Sequence, residues 1–289
     1  MTHRAFTSLL IAVSVLLLAC STAPTTSTSG QHFADARNNV KSSDFIGALK
    51  NLDATIKSAT DESQRQQAAV LHVVLVTAIA DADKQMAEAY HSGSKEPAGR
   101  PNSVHLNKMR SDYYSDARSR LMDAMQSVMD QRAKLGANSL PIEVTFPGFT
   151  GGADPAMTRI KSGQLVGDSD RLSAELQADR NALARVLSAL VGAGKDLNKG
   201  QLLFASGKVD VDPRVYIIEL SDSFLQIGAM FEPRGLNEAD HLRTVNEVVR
   251  GNLEVAVKML AAKPDKDLEA RVKKMQADCD KALKKLGAS

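Results

Sequence analysis

Through most of the chain, apolar residues recur every three or four positions, the spacing that lines one face of an α-helix. From Ser103 onward, Leu106, Met109, Tyr113, Ala117, Leu121, Met125 and Val128 form such a stripe, and Gly136 follows Leu135 where a helix-ending glycine belongs. Residues 170–191 carry Leu172, Leu176, Leu183, Leu187 and Leu190 in the same rhythm. Asp212-Pro213 opens another helix, with Ile217, Leu220, Phe224, Ile227 and Phe231 on one face. Asn237 is placed to cap the next, whose stripe is Leu242, Val245, Val249, Leu253, Ala256 and Leu260, and Pro264 breaks it. Residues 267–286 close the chain with Leu268, Val272, Met275, Cys279, Ala282 and Leu286.

The first half reads the same way. Residues 31–41 and 44–59 form a pair across Ser42-Ser43, the second serine suited to cap the following helix. Residues 62–90 form a longer helix whose centre, 68–82, is apolar nearly all round apart from His72, Thr77 and Asp81. That centre is too short to span a bilayer, so it predicts a helix in the middle of a core. Residues 92–102 read as a Gly/Pro/Ser connection ending at Ser103, a cap, and 195–208 as a weaker helix. Residues 138–155 differ: 141–149 are extended in character, Gly151-Gly152 ends them, and Asp154-Pro155 starts a short helix. A loop of that length is either functional or a linker dividing the domain into two halves. The expected fold is all-α, built from antiparallel helix pairs.

Composition narrows the function classes. With 43% apolar and 24% charged residues the chain can bury a core and is not disordered. A net charge of +2 supplies no basic field to recruit nucleic acid. Two cysteines cannot form a disulfide framework for a chain of 289 residues.

The N-terminus carries the most specific signal. Arg4 precedes an apolar run over 5–18 broken only by Thr7, Ser8 and Ser14, the layout of a secretory signal and too short for a membrane span. Leu17-Leu18-Ala19-Cys20 then resembles the lipobox of bacterial lipoproteins. The resemblance implies that residues 1–19 are a signal peptide removed before Cys20, and that the Cys20 thiol is diacylated and its new amine usually acylated. Two or more acyl chains anchor a protein stably where one does so marginally, so membrane lipid is the first expected partner. Ser21 stands where Asp usually retains such proteins in the Gram-negative inner membrane, which implies the outer membrane, facing the periplasm. Residues 21–30 (STAPTTSTSG) are too polar to pack and read as a flexible tether between the lipidated Cys20 and a helical domain over 31–289.

Ser43-Asp44-Phe45-Ile46-Gly47-Ala48-Leu49, with Leu52 and Ile56, resembles the second half of a tetratricopeptide repeat, and Ala36 fits the small position of its first helix. Asn39 and Thr55 depart from that pattern, and no Pro closes the unit. Residues 216–260 have a similar helix-pair rhythm with a longer Glu232-Pro233-Arg234-Gly235 turn. The helical body is thus expected to be either a repeat-like array or an irregular bundle.

Four patterns invite chemistry, and each has a plainer reading. Ser92-Gly93-Ser94-Lys95 and Lys161-Ser162-Gly163 match two elements of penicillin-binding enzymes, but the S-x-N element between them is missing and no strand is expected to carry the last. Gly194-Lys195 lacks the first glycine and the Ser/Thr of a phosphate loop. Glu88…His91 and Glu238…His241 have the Glu-x-x-His spacing of di-iron bundles, yet both fall at helix ends, where such residues are common. Met122, Met125 and Met129 continue a core stripe, as Cys279 does on the last helix, and His72 reads as a hydrogen-bonded core residue.

The sequence therefore predicts a non-enzymatic, cofactor-free envelope lipoprotein that recruits a peptide or protein partner in a groove between helices. The alternative is a small-ligand accessory of a periplasmic uptake system, with Phe146 and Phe149 closing an apolar pocket.

Overall fold

The structure is a computed structural model describing residues 28–136, 138–146 and 154–287. Cys20 with the rest of the signal segment, most of the tether, and Phe149 lie outside the described residues. The fold is all-α apart from one short two-stranded ribbon.

Helix α1 (Ser29–Ser42) starts at Thr28, whose hydroxyl accepts from the Gln31 amide, and ends where Ser43 turns left-handed at φ 64°. That conformation takes Ser43 out of the capping role. Asp44 caps α2 (Phe45–Ser58) instead, accepting from the Gly47 amide at 2.9 Å. Ala36 and Ala48, the small positions of the repeat-like pattern, are fully buried on these paired helices.

Asp61 caps the 34-residue α3 (Glu62–Lys95). Its centre is buried almost without interruption from Val70 to Ala82, as its all-round apolarity requires. The helix continues past Tyr90 to Lys95, and a 3₁₀ turn (Pro97–Asn102) leads into α4 (Ser103–Arg132), so the expected Gly/Pro/Ser connection is largely helical and Ser103 is the first helical residue rather than a cap.

The chain then forms β1 (Leu140–Glu143), α5 (Pro155–Lys161), α6 (Asp168–Leu190), α7 (Leu197–Leu203) and β2 (Lys208–Val211). The weaker helix expected over 195–208 stops at Leu203. Gly207, at φ 73°, turns the chain, and Val211 alternates inward to pair with Leu140 across an antiparallel ribbon. Asp154 and Asp212 cap α5 and α8 (Pro213–Gly228) as their Asp-Pro pairs predict. Asn237 does not cap α9 (Ala239–Ala262): it adopts φ 56° in the preceding turn, and Glu238 occupies the cap position without a side-chain cap bond. Helix α10 (Lys266–Gly287) packs Val272, Met275 and Cys279 toward α9.

Helix α3 is the spine. Helices α2, α4, α5, α6 and α8 all pack on it, while α1 pairs with α2, α9 with α8 and α10 with α9. One contiguous apolar cluster runs from Phe33 to Cys279, with the ribbon's Leu140, Ile142 and Val211 inside it. Burial pushes the Cys279 thiol up to about 11, so it packs as a small apolar group.

Where α3 ends, three glycines let backbones meet. A Cβ on Gly93 would sit 2.0 Å from the Ile160 carbonyl oxygen, and one on Gly99 would sit 2.0 Å from that of Gly93. Gly163, at φ 84°, closes the junction against the Gly99 backbone. No described helix is long and apolar enough to cross a membrane.

Candidate functional site: a groove along the central helix

Helices α2 and α4 both lie along α3 but hardly touch each other, which leaves a channel between them. Two open hollows of about 440 and 390 Å³ fill it and share Asp53, His72 and Ser127, so they form one groove. The floor is α3, through Ala69, His72 and Val76. One wall is α2, through Leu49, Asp53 and Ile56, and the other is α4, from Arg120 to Gln131, continued by Lys134 just past its end. The groove's place follows from the packing of α2 and α4 on α3, and Ala69 is the smallest side chain on its floor.

Polar contacts brace the groove. His72 Nε2 lies 3.2 Å from Asp53 Oδ1. Burial lowers the His72 pKa, and the nearby Asp53 and Asp123 charges only partly offset this, so the ring is neutral at pH 7 and can donate to Asp53. Gln131 ties α4 to the spine by donating to the Ala69 carbonyl at 3.0 Å, while its Oε1 accepts from the buried Tyr216 hydroxyl at 3.2 Å. At one end Glu62 pairs with Arg65 at 2.6 Å and faces Lys134 at 3.8 Å.

At the other end Arg120 is committed to Asp83 of α3. Asp83 is nonetheless raised to about 7, because burial outweighs the guanidinium. Asp179 of α6 is also raised to about 7, first by burial and then by the charge of Asp83. Arg120 is ion-paired with Asp83 and reaches Asp179 only through its charge. Along the middle of the groove, Asp53 and Asp123 face the histidine and Asp130 follows on the α4 wall, so the channel is electronegative between apolar patches at Leu49, Ile56 and Leu135.

The sequence candidates fall elsewhere. Phe146 packs against Phe204 with ring centroids 6.0 Å apart, beside the ribbon. Glu88 pairs with Lys84 at 2.9 Å, and the His91 pKa is lowered by burial and by Arg110 and Lys95. Glu238 is shared by Arg118 at 3.1 Å and His241 at 3.0 Å, and His241 stacks on Phe231. Among the described residues no three His, Cys, Asp or Glu side chains are grouped to hold a metal ion.

The two penicillin-binding-like elements do meet, but through the glycine junction. Ser92 and Lys161 line the same polar hollow of about 320 Å³. Ser92 stands on the last turns of α3, is exposed, and donates to the Glu88 carbonyl at 2.9 Å. Lys161-Ser162-Gly163 ends α5 and is not on the ribbon. Among the described residues Ser92 Oγ is hydrogen-bonded to a backbone carbonyl and not to a general base.

Sequence reading missed the groove residues Asp53, Asp123 and Asp130, which look like ordinary surface acids in one dimension. Asp83 left a signal: it lies three residues past Ala80, where the long apolar run of α3 ends. Comparison with protein-family models, with curated proteins and with solved structures finds no match to this chain.

Proposed function

We propose that the protein is a lipid-anchored scaffold of the bacterial cell envelope, moored through an acylated Cys20 in the outer membrane and facing the periplasm. Its α2–α3–α4 groove holds a peptide segment of a partner protein, with a basic side chain over Asp123 and Asp130 and apolar side chains over Ile56 and Leu135. The observation that carries this reading is the open groove, walled by two helices that share only their floor. Its length along α3, from Arg65 to Val76, suits a short segment rather than an enclosed small molecule.

A photo-crosslinking amino acid at the exposed groove position Gln126, in intact cells, tests it. The expected result is one reproducible adduct from Gln126 and none from exposed Lys108 at the far end of α4. Equal yields from both positions, or none from Gln126, would contradict the proposal. Mass spectrometry of the mature N-terminus tests the anchor separately: a chain beginning at acylated Cys20 is expected, and an unmodified thiol contradicts it.

A further inference from the structure

A second hollow, of about 490 Å³, opens between the C-terminal end of α4, the start of α8 and the last turns of α9. Its volume lies in the range of small-ligand sites, about 300–1,000 Å³. Leu135, Pro213, Val255, Met259 and Ala262 supply an apolar lining, and the larger of these are only half-buried, so apolar area stays exposed to the hollow. The rim is basic: four cations face it against one acid, Asp212.

The one acid is already taken. Arg214 grips Asp212 with three side-chain contacts, Nε to Oδ1 at 3.0 Å and to Oδ2 at 3.2 Å and Nη2 to Oδ2 at 2.6 Å, and its other nitrogen donates to the Lys263 carbonyl. That grip holds the Asp212 carboxyl down to about 2, so it is a fixed counter-charge for Arg214. Among the described residues Arg132 and Lys258 have no acidic partner, and Lys263 is largely exposed, with only a 3.6 Å approach to the Asp212 already held by Arg214. Two helices end at this hollow, and cations favour helix C-termini, which brings three surplus positive charges to one apolar floor.

An apolar floor under surplus cations complements a molecule with a long apolar body and one anionic head. We infer that the hollow between α4, α8 and α9 binds a single-chain fatty acid, its chain on Leu135, Val255 and Met259 and its carboxylate held by Arg132, Lys258 and Lys263. A carboxylate on these side chains makes charge-assisted hydrogen bonds, while an alcohol or amine head of the same length leaves the cations unpaired. This hollow adjoins the groove through Leu135, which lines both, but its cations and Val255 and Met259 do not line the groove, so either assignment can fail without the other.

The test uses the full-length chain in phosphatidylcholine nanodiscs and a photoactivatable diazirine analogue of hexadecanoate. Label is expected on the peptides carrying Val255 and Met259, with excess dodecanoate displacing it and dodecylammonium leaving it in place. Lys258→Glu with Lys263→Glu is expected to cut labelling about tenfold, equivalent to roughly 1.4 kcal/mol. Lys273→Glu with Lys274→Glu, the same charge change on exposed positions of α10, is expected to leave it unchanged. Label spread evenly over the chain, displacement by dodecylammonium as readily as by dodecanoate, or equal loss in both variants would overturn the site.

Discussion

Along residues 69–76 the central helix presents alanine, histidine and valine to a channel between α2 and α4, whereas from residue 93 the same helix ends against bare backbone. Both places rely on small side chains, but to opposite ends. Ala69 sits under walls set apart by two helices that do not meet, so its smallness leaves space. Gly93 and Gly99 sit where three segments converge, so theirs removes it. A small residue in a helix sequence therefore marks a groove only when its neighbours are held apart by something else. Here that spacing comes from α3 itself, with Gln131 and the His72–Asp53 contact fixing the walls to it.

The closed end should be the less forgiving. Gly99→Ala puts a methyl group 2.0 Å from a backbone carbonyl oxygen, an overlap that no side-chain rotation relieves. Chemical denaturation should show a loss of about 3 kcal/mol or more. A loss under 1 kcal/mol would mean that the junction is looser than the geometry states.

The seam beyond the groove should come next in size. Asp83 and Asp179 bind their protons more tightly when folded, so stability should fall as pH climbs from about 4 toward about 7, and no further above that. Asp179→Asn removes one of the two titrations. Thermal melts should show it about 2 kcal/mol more stable than the parent at pH 8 and nearly equal at pH 4. An unchanged pH profile would break the picture of two buried carboxyls, one raised by the charge of the other.

The floor histidine works in the other direction. Folding depresses the His72 pKa from 6.5, so its contribution is intact above 6.5 and is lost as pH falls below it. His72→Gln should flatten that acid limb while leaving stability at pH 8 within about 0.5 kcal/mol. The groove wall should matter least to folding. Asp123 and Asp130 are exposed, and Asp123→Asn with Asp130→Asn should change stability by less than about 0.5 kcal/mol.

How much of this could be read from the chain differs by region for physical reasons. The stripes of α4, α8 and α9 were legible because each of these helices buries one face, and the Asp-Pro starts of α5 and α8 because proline and an N-cap acid act locally. The serine and asparagine caps at Ser43, Ser103 and Asn237 were not. Capping depends on the backbone angles of that residue, and Ser43 and Asn237 are left-handed. The β1–β2 ribbon was missed because four residues pair with four others far along the chain. The groove was illegible for a related reason: it exists only between α2 and α4, whose separation is set by α3.

The central claim is that the electronegative middle of the groove receives a basic segment of a partner, and charge reversal in cells tests it most directly. With the photo-crosslinker at Gln126, Asp123→Lys with Asp130→Lys should lower the adduct yield about tenfold while the purified variant keeps the parent's melting transition. Undiminished crosslinking by a folded, charge-reversed groove would contradict the account.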